Sequence, residues 1–130
     1  MPLEASRLGR LTREEEFRQV YRRGVRRSSA LLVIHALPTR TGVVRIGLAV
    51  RRPVGPAVVR NRIRRRIREA VRAERHVIRC GVDLVVSPRE AAARAPFCAL
   101  RREIRGALEA CGIVAVRGET VGWSREDCCC

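Results

Sequence analysis

Residues 57–74 read AVVRNRIRRRIREAVRAE, and this stretch decides the fold. Placed at about 100° per residue, Val59, Ile63, Ile67, Ala70 and Val71 share an arc of about 120°, wide enough for a core-facing stripe. Asn61, Arg65, Arg68 and Arg72 fall on the opposite side, bordered by Arg64 and Arg75. Arg62 and Arg66 lie toward the other flank, and Arg60 sits near the first turn. Gly55 precedes the run and Pro56 suits a first helical position, so a helix is predicted from about Pro56 to Arg75. It buries one side and presents guanidinium groups on the other.

Such a helix is locally unfavourable on its own. Arg60, Arg62 and Arg64 occupy the first two turns, where the helix dipole favours acidic residues. Arg64, Arg65 and Arg68 repel one another at short spacings, and Glu69 and Glu74 are too few to neutralise them. Phosphates would reverse the sign of all these terms, and free N–H groups at the helix start would add to the attraction. The bland alternative is a solvated, charge-rich face. Six arginines among the nine residues from Arg60 to Arg68 favour nucleic acid over that alternative. Charge does not separate RNA from DNA, but no sustained leucine heptad or zinc-ligand spacing supports a DNA-reading module.

Working outward, a first helix is predicted from Arg13 to about Arg23. Thr12 and Glu15 have capping-box spacing, Gly24 is a stop, and Phe17, Val20 and Tyr21 form a thin apolar side. Ala30 to Leu37 is an apolar run of strand length. From Val43 to Val50, Val44, Ile46, Leu48 and Val50 alternate with Arg45, Gly47 and Ala49. Pro38 to Gly42 would turn between these strands. Val82 to Ser87 reads as a buried strand ended by Pro88. A third helix starts near Pro96, with Phe97, Leu100, Ile104, Leu108 and Cys111 on one face, and Gly112 follows. The order α-β-β-α-β-α predicts an α+β domain, a small mixed sheet with helices packed on it. Strands 43–50 and 82–87 with the arginine helix form a β-α-β unit if the strands are parallel neighbours, and the general rule makes that crossover right-handed.

Composition agrees. The chain has 130 residues, enough for one domain with its own core. Residues 1–112 are read as that domain and 113–130 as a flexible C-terminal tail. The 28 basic residues are all arginine and face 13 acidic ones, a net charge of +15. A surplus of that size favours a polyanionic partner. No apolar run reaches membrane-spanning length and Met1 to Arg10 lacks a signal peptide's apolar core, so a cytoplasmic protein is expected. Cys80, Cys98 and Cys111 are scattered, Cys128, Cys129 and Cys130 end the chain, and His35 and His76 are far apart. No structural zinc site is expected from that spacing. No carboxylate cluster or nucleophile triad suggests catalysis by the chain itself.

From Gly55-Pro56-Ala57-Val58-Val59-Arg60-Asn61-Arg62-Ile63-Arg64-Arg65 to Ile67-Arg68-Glu69, the sequence resembles the signature helix of the bacterial ribonuclease P protein component. Leu11 to Gly24 resembles that family's opening helix and Arg45 to Val50 the strand before the signature. Asp83 to Arg89 and the Phe97–Leu108 helix stand where the family has its last strand and helix. The resemblance covers about Leu8 to Cys111. It implies a protein that assists a catalytic RNA in the magnesium-dependent removal of the 5′ leader from precursor tRNA, with the magnesium held in the RNA holoenzyme and no cofactor on the protein alone. It also implies a left-handed β-α-β crossover, an expectation that overrides the general rule.

Carried over residue by residue, the resemblance assigns Arg60, Asn61, Arg62, Arg64, Arg65, Arg68 and Arg72 to the catalytic RNA. Phe17, Tyr21, His35, Arg51 and Arg52 are assigned to a leader-binding cleft between the first helix and the sheet. Spacing alone slightly favours core packing for Phe17 and Tyr21, and favours an ordinary surface or core residue for His35, which stands where the family often has an aromatic. Pro56 departs from the polar residue usual before Ala57. The expected partners are the catalytic RNA and the precursor leader, without a membrane or an obligate protein partner. Two competing readings rest on the same charge: a ribosome-associated RNA-binding protein and an anionic-membrane binder. The second is weakened by an apolar stripe that lacks Trp or Phe.

Overall fold

The computed structural model describes residues 9–39, 43–75, 78 and 81–112. The expectations for the 113–130 tail, Cys80, Cys128, Cys129, Cys130 and His76 lie outside the described residues, as does part of the expected 38–42 turn. The elements run β1 (Gly9–Arg10), α1 (Glu14–Arg23), β2 (Val25–Ser28), β3 (Leu32–Pro38), β4 (Val44–Leu48), α2 (Ala57–Ala73), β5 (Val82–Pro88) and α3 (Phe97–Ala110), with 3₁₀ turns at Arg52–Val54 and Glu90–Ala93. The expected α-β-β-α-β-α series is present, and two short strands are added to it. Gly-Arg and Val-Arg-Arg-Ser carry no apolar alternation. They are strands because they pair with the two sheet edges.

The sheet order is β1-β4-β5-β3-β2. β4 and β5 are parallel neighbours, from Val44 opposite Val82 to Leu48 opposite Val86. With α2 between them they form the β-α-β unit expected from the sequence. β3 lies antiparallel on the other side of β5, with Ile34 opposite Val86 and His35 opposite Val85.

Alternation sorts the two faces. Leu32, Ile34 and Ala36 of β3, Val44 and Ile46 of β4, and Val82, Leu84 and Val86 of β5 join Ile63, Ile67, Ala70 and Val71 of α2 and Leu100, Ile104 and Leu108 of α3 in the main core. Burying each large aliphatic side chain contributes about 1.5–3 kcal/mol. The predicted stripes of α2 and α3 are thus the ones that dock, with Val59 and Phe97 at the margin. On the opposite face α1 builds a smaller core of Leu11, Val20 and Val85, edged by Phe17, Leu37 and Ala49. The chain is therefore layered as α1, sheet, then α2 with α3.

The start of α1 differs from the expected Thr12/Glu15 box by one residue. Arg13 holds the N-cap position, and the Glu16 carboxylate accepts hydrogen bonds from the backbone N–H of Thr12 (3.2 Å) and Arg13 (3.1 Å). Gly24 ends the helix as expected, for a reason of space. A Cβ there would stand 2.5 Å from the Val20 carbonyl oxygen and 2.9 Å from that of Ala36.

Candidate nucleic-acid interface

α2 enters without a side-chain cap at Pro56 and with no acidic residue in its first turn. Its apolar stripe fixes the rotation about its axis, which sends Asn61, Arg62, Arg65 and Arg72 to solvent and leaves Arg60, Arg64 and Arg68 half-buried. Among the described residues, no arginine of α2 is ion-paired; the salt bridges use Arg18, Arg45, Arg101 and Arg105. Arg64 Nη1 donates to Asn61 Oδ1 at 2.9 Å, which aligns two of the signature side chains. Arg66 turns to the other flank, toward the carbonyl of Ala95 at 3.4 Å.

Arg68 shows what such crowding costs. Burial holds its guanidinium below the ordinary value, and repulsion from Arg10 and Arg64 adds to the shift. The Nε atoms of Arg60 and Arg68 are buried and have no hydrogen-bond partner. Arg10 comes from β1, paired opposite Ile46, so alternation turns it to the α2 side of the sheet. Local patterning carries no sign of this residue, because a two-residue strand has no readable period.

Glu74, expected to offset some of this charge, serves α3 instead. It is buried, and its carboxylate accepts from Arg105 Nη1 (2.5 Å) and Arg101 Nε (3.4 Å).

Across the sheet, the five cleft candidates divide. Phe17 packs closely on the strand at Gly47, where a Cβ would come within 2.7 Å of its ring. Its packing with Leu11 and Val20 makes it partly a core residue. Tyr21, one turn on, is 44% exposed and meets His35 edge-to-face at a centroid distance of 4.8 Å. Burial, then the nearby charge of Arg26, lowers the His35 pKa, so the ring is neutral at pH 7. His35 Nδ1 is buried without a partner. Arg51 lines an open groove of about 520 Å³ with Val33, Ser87 and Arg89. Val33 lies on the same face as His35, two residues along β3. Arg52 is exposed at the start of a 3₁₀ turn and does not line that groove.

A partly buried ion cluster ties α1 to this face. Arg45 grips Asp83 through two hydrogen bonds, Nε–Oδ1 at 2.9 Å and Nη2–Oδ2 at 2.7 Å, and its Nη1 donates to Glu16. The hydrogen bond that Arg45 donates to Asp83 is the main cause that raises the Arg45 pKa. Arg45 and Asp83 are cross-strand partners, a pairing that local patterning cannot show.

Cys98 is exposed and Cys111 buried, both as free thiols, and burial pushes the Cys111 pKa up to about 11. No group of three or more His, Cys, Asp or Glu comes together among the described residues. No described helix is long and apolar enough to cross a membrane.

The fold and site define a small, strongly basic three-layer α+β domain, with an uncompensated cationic helix on one side of the sheet and an aromatic pair on the other. The ribonuclease P family model matches residues 6–112. The ribonuclease P protein component of Symbiobacterium thermophilum is 38% identical over 110 residues, 84% of this chain and 96% of the relative. That of Gluconacetobacter diazotrophicus is 43% identical over 111 residues, with the same coverage. The solved ribonuclease P protein of Thermotoga maritima superposes with a TM-score of 0.71 at 28% identity, covering 78% of this chain and 96% of that one. A Staphylococcus aureus ribonuclease P protein shares the fold at a TM-score of 0.75 and 22% identity, covering 82% and 97%. The chain belongs to the ribonuclease P protein family, the protein component of a ribonucleoprotein endoribonuclease of tRNA 5′ processing. It functions with the ribonuclease P RNA subunit.

Proposed function

We propose that this chain holds the catalytic RNA with α2 and the 5′ leader of precursor tRNA with the opposite face. Arg60, Asn61, Arg62, Arg64, Arg65, Arg68 and Arg72 meet phosphates of the catalytic RNA. Phe17, Tyr21, His35, Arg51 and Arg52 form the leader cleft. The observation that carries this reading is the arginine surface of α2, for which the described residues supply no carboxylate. Counter-charge from RNA would relieve the repulsion around Arg68 and give the buried Nε atoms of Arg60 and Arg68 an acceptor.

Within the cleft the residues differ in task. Tyr21 and neutral His35 offer exposed ring surface to unstacked bases, worth about 1–3 kcal/mol per base. Phe17 sets the floor on which α1 rests. Arg51 stands at the groove beyond Val33 and screens leader phosphates. Hydrolysis belongs to the RNA, which holds the magnesium; this chain contributes affinity and screening, in the cytoplasm. Precursor cleavage at low magnesium, by the catalytic RNA alone and with the protein added, tests the reading. Marked stimulation is expected, and none would overturn it. Phe17→Ala is expected to weaken precursor binding more than mature tRNA binding; equal losses would make Phe17 a core residue only.

A further inference from the structure

We infer that Arg26, on the edge strand β2, is a phosphate anchor of the leader cleft, forming with Tyr21 and His35 a subsite for one nucleotide of single-stranded RNA. The inference rests on the leader-cleft reading above.

The register makes the case. β2 pairs antiparallel with β3, placing Arg26 opposite His35 and Arg27 opposite Ile34. Cross-strand partners project to the same side of a sheet, with Cβ atoms about 5 Å apart. Arg26 therefore rises on the face that carries His35 and the Tyr21 ring set edge-to-face with it. Its charge is felt there, since it helps hold His35 neutral. Ile34 is buried in the main core, so Arg27 projects to the α3 side, where its charge acts on Cys111. Neither arginine is ion-paired among the described residues. Two adjacent, exposed, equally charged side chains thus face opposite layers, and only one faces the cleft.

A nucleotide brings a flat apolar base and an anionic phosphodiester joined by a ribose. The Tyr21–His35 pair is a stacking surface, and Arg26 beside it is a bidentate phosphate donor. The competing account of Arg26 is edge protection, since charged residues on an outer strand deter pairing with other chains. Edge protection would make Arg26 and Arg27 equivalent, and the subsite makes them different.

The test uses the reconstituted holoenzyme, with precursor tRNA and mature tRNA binding measured across a salt titration. Arg26→Ala should weaken precursor binding roughly tenfold at low salt, the scale of one charged hydrogen-bond contact. The salt slope should flatten by about 0.7, as for one single-strand phosphate. Mature tRNA binding should be unaffected, Arg26→Lys should keep the slope, and Arg27→Ala should change neither substrate. Equal losses for Arg26→Ala and Arg27→Ala, or a shared rise in self-association alone, would overturn the subsite. If Tyr21→Ala weakens leader-dependent binding while Arg26→Ala does not, the subsite fails and the cleft stands. If neither does, both fail.

Discussion

α2 and α3 lie side by side on one face of the sheet, both amphipathic and both rich in arginine, yet their charges are handled in opposite ways. Arg101 and Arg105 of α3 converge on buried Glu74, and Arg105 also reaches Glu109 at 2.9 Å. Hydrogen bonds donated to Glu109 and then to Glu74 raise the Arg105 pKa. Arg68 of α2 is shifted the other way, by burial and by other arginines. Glu74 ends α2 but spends its carboxylate on α3. The lesson is that an arginine count does not identify a binding surface; the absence of carboxylates around it among the described residues does. α3 uses guanidinium groups to close the fold, and α2 leaves its own without a carboxylate partner among the described residues.

Substitutions can break or sharpen this contrast. The largest effect on stability is expected from Arg101→Ala with Arg105→Ala, which strands the Glu74 carboxylate in the interior. A loss of about 3 kcal/mol should appear in denaturant unfolding, with catalytic-RNA affinity retained wherever the protein is folded. In α2 the signs reverse. Arg65→Ala should leave stability within about 0.5 kcal/mol while the salt slope of catalytic-RNA binding falls by about 0.9, the share of one phosphate. A cost to stability as large as that of the α3 pair would erase the distinction.

The Glu16 cluster extends the comparison to the other face. Glu16→Gln should cost about 1 kcal/mol at pH 7, the usual worth of a cap. The backbone N–H of Arg13 leads the causes that lower the Glu16 pKa from its ordinary 4.5. Its stabilisation is therefore complete above that value and is lost as pH falls through the lower folded value. The variant should flatten the acid limb of the stability profile, and an unchanged limb would assign that limb to other carboxylates. The smallest effect is expected from Arg72→Ala, in the last turn of α2 where a cation suits the helix dipole. A few tenths of a kcal/mol of stability should be lost, with a modest loss of RNA affinity.

The sequence was most legible where a period was long. Val59, Ile63, Ile67, Ala70 and Val71 fixed the rotation of α2, and with it the outward face. The alternation of Val44, Ile46 and Leu48 gave β4 its buried side. What escaped reading was non-local. β1 and β2 exist only through their partners. The Arg45–Asp83 grip joins residues 38 apart in sequence. The helix cap fell on Glu16 rather than Glu15 because Glu16 is also the carboxylate that reaches Arg45. Phe17 and Tyr21 looked alike in sequence, and Gly47 separates them: the missing Cβ lets one ring settle on the backbone while the other stays at the rim.

β1 lies at one border of the sheet and β2 at the other, so α1 and the residues flanking it cross from border to border. Ten residues of helix measure about 15 Å. Five strands span about 19 Å from the first axis to the last. α1 is in effect a strap cut to length: it must fit the span that the sheet fixes between Arg10, beside the α2 arginines, and Arg26 at the far border. Lengthening or shortening it by one turn, about 5 Å, would mismatch the helix to that span and strain whichever short border strand it feeds, without touching a single charge.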